Sequence, residues 1–331
     1  MTLPLEPPLK PQLALSRKEL PEGEDYSYEI KLDGFRCLAF VDTPSGARGG
    51  DGVFLQSRNG KPLGRYFPEL AFPSGRYVLD GEIVVRDAHG REDFDALGQR
   101  IHPAASRIAL LSKETPSTYV AFDLLAHEDD ALLELPFVER RAALERLVAG
   151  DAFAGAPVEL MPTVATVAEA QQWLEHAEGA IAKQCSAPYR PGERKGMAKV
   201  KRVRTIDAVL VGWRPGKEPD TVGALILGLY DGEQLRVVGH CSGLSTPEKK
   251  RLVGFLAPYE SGERGSADPS RWSAGKDLEW VALRPELVVE IDFDHVSAGR
   301  IRHGAKLRRW RTPAGTSEDK PPRECTYDQL R

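Results

Sequence analysis

The stretch Tyr28-Glu29-Ile30-Lys31-Leu32-Asp33-Gly34-Phe35-Arg36-Cys37-Leu38-Ala39-Phe40 constrains the chain most tightly. Ile30 and Leu32 alternate with Glu29 and Lys31, the period of a strand with one face on a core. Asp33-Gly34 is the pair that most readily takes φ > 0 in a tight turn. Lys31 is therefore expected at the end of a strand, on its polar face, just before a turn that carries a carboxylate. Arg36 follows that carboxylate. Taken alone, Lys-x-Asp-Gly-x-Arg describes a solvated hairpin. Taken as chemistry it offers a lysine nucleophile, and that reading makes demands. A free lysine titrates near 10.4, so presenting the neutral amine at pH 7 costs roughly 4–5 kcal/mol. Only burial or neighbouring cations depress that value. The rest of the chain must supply positive charge, carboxylates for a cation, and groups that hold a phosphorylated substrate in line with the amine.

At 331 residues, 41% of them hydrophobic and 28% charged, the chain has room for two domains with ordinary cores. No apolar run approaches the length of a membrane span, so no membrane partner is expected. The Pro-rich N-terminus lacks the basic-then-apolar order of a signal peptide. Cys37, Cys185, Cys241 and Cys325 are scattered and never form Cys-x-x-Cys. That argues against a zinc site or a disulfide framework and for a reducing cytosol. The net charge of −4 is neutral evidence on polyanion binding, but its distribution is not. Residues 190–204 hold seven Lys/Arg against one acid, and residues 300–311 hold six against none. Two basic blocks on an otherwise acidic chain suit local phosphate neutralisation.

Residues 1–27 read as an irregular Pro-rich arm. Strands are expected over 28–32, 35–42, 53–57 and 76–86, with turns at Asp33-Gly34, the Gly/Ala-rich 44–52 and Asn59-Gly60. A helix is expected over 93–112, a strand over 119–125, an acidic surface loop at 127–130 and a helix over 137–148. Thr166-x-x-Glu169 is a capping box that opens a helix of about a dozen residues ending at Glu178-Gly179. Short strands follow at 181–185 and 198–203. Beyond Arg204 the pattern changes to strands at 206–213, 222–230, 233–240 and 287–293, with an Asp231-Gly232 hairpin. One helix, opened by Thr246-Pro247, runs to Pro258. This fits a small five-stranded barrel of the oligonucleotide-binding type. The expected domains are 1–204 and 205–331.

Several segments answer the demands of Lys31. Leu79-Asp80-Gly81-Glu82 and Phe122-Asp123-Leu124-Leu125 are apolar strands with embedded carboxylates. Glu178-Gly179-Ala180-Ile181-Ala182-Lys183 opens a strand with an acid and closes it with a base. Lys199-Val200-Lys201 projects two ammonium groups from one face, and Ser57-Arg58-Asn59-Gly60 sets an arginine at a turn. Each alone has a structural explanation. Together with the Lys31 segment, and in their order along the chain, the six resemble the signature of the covalent nucleotidyltransferases, and within them the compact two-domain bacterial ATP-dependent DNA ligases. The basic segment Leu307-Arg308-Arg309-Trp310-Arg311 with Asp319-Lys320-Pro321-Pro322 resembles the family's last motif. The resemblance spans essentially the whole chain.

It implies an α+β fold: a nucleotidyltransferase domain of ATP-grasp-like antiparallel sheets with helices, followed by an OB-fold β-barrel. It also implies roles by position. Lys31 attacks the α-phosphorus of ATP and carries AMP. Glu29 meets the adenine amino group, Phe122 stacks on the ring, and Arg36 and Glu82 hold the ribose region. Lys183, Lys199 and Lys201 complete the nucleotide site, the last two at the α-phosphate. Glu82 and Glu178 bind Mg²⁺ or Mn²⁺, and Asp33 serves the metal or the steps on DNA. Arg58 and Arg194 grip the 5′-phosphate of nicked double-stranded DNA, while Arg309 and Arg311 are alternatives for orienting pyrophosphate. The implied protein is a monomer, cytoplasmic and nucleoid-associated, that grips DNA weakly unless other repair proteins or low salt assist. Met197-Ala198 departs from the bulkier pair usual before the Lys-x-Lys strand, and residues 312–318 stretch the last motif. The alternatives are an RNA ligase or mRNA-capping-type enzyme, or a non-catalytic OB-fold nucleic-acid binder.

Overall fold

Why Lys31 sits where it does follows from what its two flanking strands pair with. Tyr26–Ile30 belongs to a five-stranded sheet ordered Leu15–Ser16, Met197–Lys201, Gly179–Gln184, Tyr26–Ile30, Thr163–Val164. Phe35–Thr43 belongs to a six-stranded sheet, between Val53–Ser57 and Gly75–Val85. Residues 31–34 are thus a crossover between sheets, not the hairpin expected from Asp33-Gly34. Gly34 has no positive φ either. Its glycine is needed for close approach: a Cβ there would lie 2.4 Å from the Ile83 carbonyl oxygen.

These relations come from a computed structural model that describes residues 3–43, 52–102, 104–266, 279–297, 299–301, 304–311 and 320–330. The chain divides into two compact units, Met1–Arg202 and Val203–Arg331.

In the first unit, Phe35–Thr43, Gly75–Val85 and Ser117–His127 are buried on both faces, which is why they read as nearly continuous apolar runs. Cys37, Ala39, Leu79, Ile83 and Tyr119 face a core shared with Leu97 and Leu144 of two helices. Leu38, Phe40, Val78 and Leu125 face the other way and are covered by Leu3, Leu5 and Leu9. The N-terminal arm is therefore a core component, and Leu15–Ser16 pairs in parallel with Ala198 and Lys199. Between the two sheets lie Leu32, Val84, Val120, Phe122 and Met161. The helix Val167–His176, opened by the Thr166 and Glu169 capping box, covers the smaller sheet through Ala170.

Other expectations shift by identifiable causes. The helix over 93–112 is two, Phe94–Gln99 and Ala105–Glu114. Arg100, fully buried, ends the first by turning inward to Glu69, and the sequence places Pro103 next. The acidic segment 127–130 is a hairpin in which Asp130 pairs with His127. The strand expected over 181–185 starts earlier, at Gly179, and that over 198–203 is Met197–Lys201. The turn at 44–51 and residues 312–319 lie outside the described residues.

Among its described residues the second unit has a main sheet of seven strands, where a five-stranded barrel was anticipated, and a separate pair, Val296–Ser297 with Arg300–Ile301. Arg204–Pro215 pairs with Val222–Asp231 on one side and with Glu279–Leu283 and Val288–Phe293 on the other. Beyond the four strands placed from the sequence, the main sheet adds Glu260–Ser266, Glu279–Leu283 and Lys306–Trp310. Register shifts at Leu210/Gly212 and Arg214/Pro215 bend the long strand. Its helix, Thr246–Leu256, is capped by Ser245 with Glu248, one residue earlier than expected, and buries Leu252 and Leu256.

Candidate active site

The backbone N–H of Lys31 donates to the Gly179 carbonyl at 2.9 Å, so the crossover is fastened to the strand that follows Glu178. The Lys31 side chain then meets the Glu178 carboxylate directly. Lys201 Nζ reaches the other Glu178 oxygen at 3.5 Å. Lys199, on the same strand face as Lys201, is held below the ordinary lysine value by burial, then by the charges of Lys31, Lys201 and Arg58. Glu178 therefore contacts the Lys31 amine, with the cations Lys199 and Lys201 close by.

Behind Lys31 is a cavity of about 440 Å³ lined by Glu29, Lys31, Arg36, Arg58, Glu82, Phe122, Lys183, Arg194 and Lys199, with Ile30, Ile181, Met161 and Met197 among its apolar walls. A mostly preformed pocket of this size suits a nucleotide. At its floor Glu29 accepts from Lys183 Nζ at 2.8 Å, and Lys183 also donates to the Phe122 carbonyl at 3.0 Å. Burial raises Glu29 above the ordinary carboxylate range although Lys183 opposes the shift. Lys183 Nζ lies 4.5 Å from the Phe122 ring centre and 4.7 Å from that of Phe137. The ammonium is thus fully engaged beneath the ring.

Arg36 is anchored by Asp80, whose two oxygens accept from Nε and Nη2 at 2.6 Å each. Its guanidinium carbon lies 4.7 Å from the Phe122 ring centre. Glu82, next along the same strand face, is pushed up to about 8, chiefly by burial, with Asp80 and Glu178 adding to the shift and Arg36 and Lys31 opposing it. Asp33 is not among the cavity's lining residues. Burial raises nearby Glu92 against the charge of Arg86, and the charges of Asp33 and Glu178 add to the shift.

The structure therefore brings Lys31, Glu29, Arg36, Arg58, Glu82, Phe122, Lys183, Arg194 and Lys199 to one cavity, with Glu178 and Lys201 linked to it through Lys31. Arg309 and Arg311 belong to the other unit. There Glu290 receives the Arg309 guanidinium, and Arg311 Nη1 lies 3.5 Å from both Asp207 and Glu290. Burial pushes Glu290 up, but the Arg309 hydrogen bond and the charges of Arg309, Arg308 and Arg311 outweigh it and hold it low.

The family comparisons agree with this geometry. Residues 11–201 match the model of the ATP dependent DNA ligase domain, and residues 218–313 match the ATP dependent DNA ligase C terminal region. The chain belongs to the ATP-dependent DNA ligase family. DNA ligase C1 of Mycolicibacterium smegmatis is 42% identical over 351 residues, covering 100% of this chain and 96% of that protein. DNA ligase C of Mycobacterium tuberculosis is also 42% identical, with the same coverage. The end-joining protein LigD of Pseudomonas aeruginosa is 31% identical over 97% of this chain and 37% of its own length. Among solved structures, mycobacterial DNA ligase D complexed with ATP and MES matches at 28% identity and TM-score 0.51, covering 96% of this chain and 98% of that one. The enzyme is accordingly an ATP-dependent DNA ligase.

Sequence reasoning missed what supports this ligase's pocket from behind: Asp80, Tyr189 and Gln12. Asp80 carried one available signal, since a carboxylate inside an apolar strand needs a cation once buried. Gln12 and Tyr189 carried none, because their partners lie far away in the chain.

Proposed function

We propose that this ligase seals nicks in duplex DNA, joining a 5′-phosphate to the neighbouring 3′-hydroxyl through a lysyl-AMP on Lys31 and then a DNA-adenylate. The observation that carries the reading is the position of the Lys31 amine, against Glu178 at the edge of a cavity rich in cations. In the first step the Lys31 nitrogen bonds the α-phosphorus of ATP, and the α–β phosphoanhydride breaks with loss of pyrophosphate. An oxygen of the nick's 5′-phosphate then attacks the AMP phosphorus, the Lys31 N–P bond breaks and the amine is restored. The 3′-hydroxyl finally attacks the phosphorus of that 5′-phosphate and AMP leaves.

In this reading Phe122 stacks on adenine, Glu29 takes the exocyclic amino group, and Lys183 acts through Glu29 rather than on the nucleotide. Arg36 and Glu82 hold the ribose region, and Lys199 and Lys201 neutralise the α-phosphate as charge develops. Arg58 and Arg194 receive the 5′-phosphate of the nick, and Asp33 serves the steps on DNA. Of the two arginines in the second unit, Arg309 is assigned to pyrophosphate. It is 46% exposed, whereas Arg311 is 18% exposed and held between Asp207 and Glu290.

A divalent ion fits the donor chemistry. Among the described residues no three His, Cys, Asp or Glu side chains converge on a metal position. Glu178 and Glu82 are hard oxygen donors beside Lys31, and Mg²⁺ or Mn²⁺ characteristically takes one or two carboxylates and completes its shell with phosphate oxygens and water. Such an ion supplies charge neutralisation at the phosphates. Kinship with ligases named for non-homologous end joining supports a place in DNA repair.

The test is incubation with α-labelled ATP and Mg²⁺, wild type beside Lys31→Ala, followed by nicked DNA or nicked RNA. The expected result is covalent label on wild type only and sealing of the DNA nick. Label on another residue, or none, removes the mechanism; preferential sealing of RNA replaces the substrate.

A further inference from the structure

The first-unit cavity has a wall contributed by the N-terminal arm. Pro11, Leu13, Ala14, Leu15 and Ser16 all line it. The arm is stitched to residues 189–195, the segment that carries the cavity residue Arg194. Gln12 N–H donates to the Tyr189 hydroxyl at 2.9 Å, and its side-chain amide donates to the Lys195 carbonyl. Leu13 N–H donates to the Glu193 carbonyl at 2.8 Å, and Gly192 N–H to that of Pro11 at 3.2 Å. Further along, Arg17 N–H donates to the Lys199 carbonyl at 2.9 Å.

The same arm residue also touches the cation at the centre of the pocket. The Gln12 carbonyl accepts from Arg36 Nη2 at 3.2 Å. The Tyr189 hydroxyl, having accepted from Gln12, donates to Asp80 Oδ2 at 2.6 Å, the oxygen that also accepts from Arg36 Nη2. Gln12, Tyr189, Asp80 and Arg36 therefore close a ring of hydrogen bonds. Gln12, Tyr189 and Asp80 are all buried. Arg36 keeps partial exposure toward the cavity, over Phe122. Tyr189 is kept protonated by burial first and by Asp80 second, so it remains a donor to the carboxylate.

We propose that Gln12 and Tyr189 are positioning residues for nucleotide capture, and that the arm is a working wall of the nucleotide site. They hold the Asp80 carboxylate and the Arg36 guanidinium in one geometry, so that Arg36 meets the nucleotide already oriented. This rests on the reading of the cavity as the ATP site. A guanidinium fixed in advance loses less freedom on binding, which strengthens capture without changing the bond-making step.

The test is Tyr189→Phe, which keeps the ring and removes the hydroxyl that joins arm to carboxylate. Single-turnover labelling of Lys31 is followed against ATP concentration. The expected result is a KM for ATP raised roughly tenfold, with the rate at saturating ATP nearly unchanged. An unchanged KM overturns the proposal. A reduced labelled fraction at unchanged KM also overturns it, since the hydroxyl would then serve folding alone. If Tyr189→Phe does not fold, Asp80→Asn is read in the same way, because it keeps the side chain's shape and weakens its hold on Arg36 and Tyr189, and a wild-type KM there overturns the proposal. Absence of label on wild type refutes instead the assignment of the cavity to ATP.

Discussion

Replacing Lys183 by methionine isolates the buried pair at the floor of the cavity. Glu29 and Lys183 are 2% and 4% exposed, and the ammonium satisfies Glu29, the Phe122 carbonyl and two ring faces. Removing one partner of such a pair leaves an uncompensated charge, at about 3–5 kcal/mol. Glu29 has an escape, however. Burial already holds it above its ordinary value of 4.5, and without Lys183 it rises further. A proton then replaces the lost cation, and the penalty falls to that of an unsatisfied polar group, about 1–3 kcal/mol. The sign follows: with the folded value raised, the variant's stability is greatest below pH 4.5 and is lost as pH rises through the folded value. Lys183→Met should therefore cost about 2 kcal/mol at pH 5.5 and about 4 kcal/mol at pH 8.5. For a unit of this size that lowers its calorimetric transition by about 5 °C and 10 °C respectively. Lys183→Met combined with Glu29→Gln should recover most of the alkaline loss. A deficit independent of pH, or below 1 kcal/mol at pH 8.5, would refute the reasoning.

Gly34→Ala should cut Lys31 labelling by at least tenfold with a smaller effect on the melting transition, because the new methyl meets the Ile83 carbonyl and Glu82 Cγ at 2.4 and 2.7 Å and must displace the crossover. Arg309→Ala should abolish labelling from ATP and also lower the second unit's transition, because buried Glu290 loses its hydrogen-bonded guanidinium. Arg311→Ala should lower that transition by about 2 kcal/mol, because Asp207 and Glu290 lose a shared partner. For Glu69, burial pushes the carboxyl up, but Arg100 and Ser117 outweigh it and hold it below 4.5. Its stabilisation is present above 4.5 and lost as pH falls through the lowered value, so Glu69→Gln should flatten the acid limb of a stability–pH profile and cost about 2 kcal/mol at neutral pH.

What could be read from the sequence is local chemistry, and what could not is which strand lies beside which. The alternation around Lys31 implied a strand over 28–32; the strand is Tyr26–Ile30 and ends one residue before Lys31. The same stretch implied the wrong turn. Asp33-Gly34 has the composition of a hairpin, but Tyr26–Ile30 and Phe35–Thr43 hydrogen-bond to different sheets, and nothing in thirteen residues says so. Gly34 is required by an approach to Ile83, far along the chain. The same limit explains the arm. Leu3, Leu5 and Leu9 lack helical or strand periodicity because they cover a sheet from outside, on an irregular arm whose backbone spends its hydrogen bonds on Gln56, Tyr189 and residues 192–193. Asp123 looked like a lone acid in an apolar strand until the helix Phe137–Val148 supplied Arg140, bonded to it at 2.8 and 2.9 Å. In each case the residue type announced a need, for a counter-ion, a cover or a gap, and only the fold identified what met it. That the residues of these six segments would meet was legible from the joint order that resembles a family signature, and most of them line one cavity. The supporting ring of Gln12, Tyr189 and Asp80 was not, because a tyrosine and a glutamine make no demand that water would not satisfy until the chain has buried them.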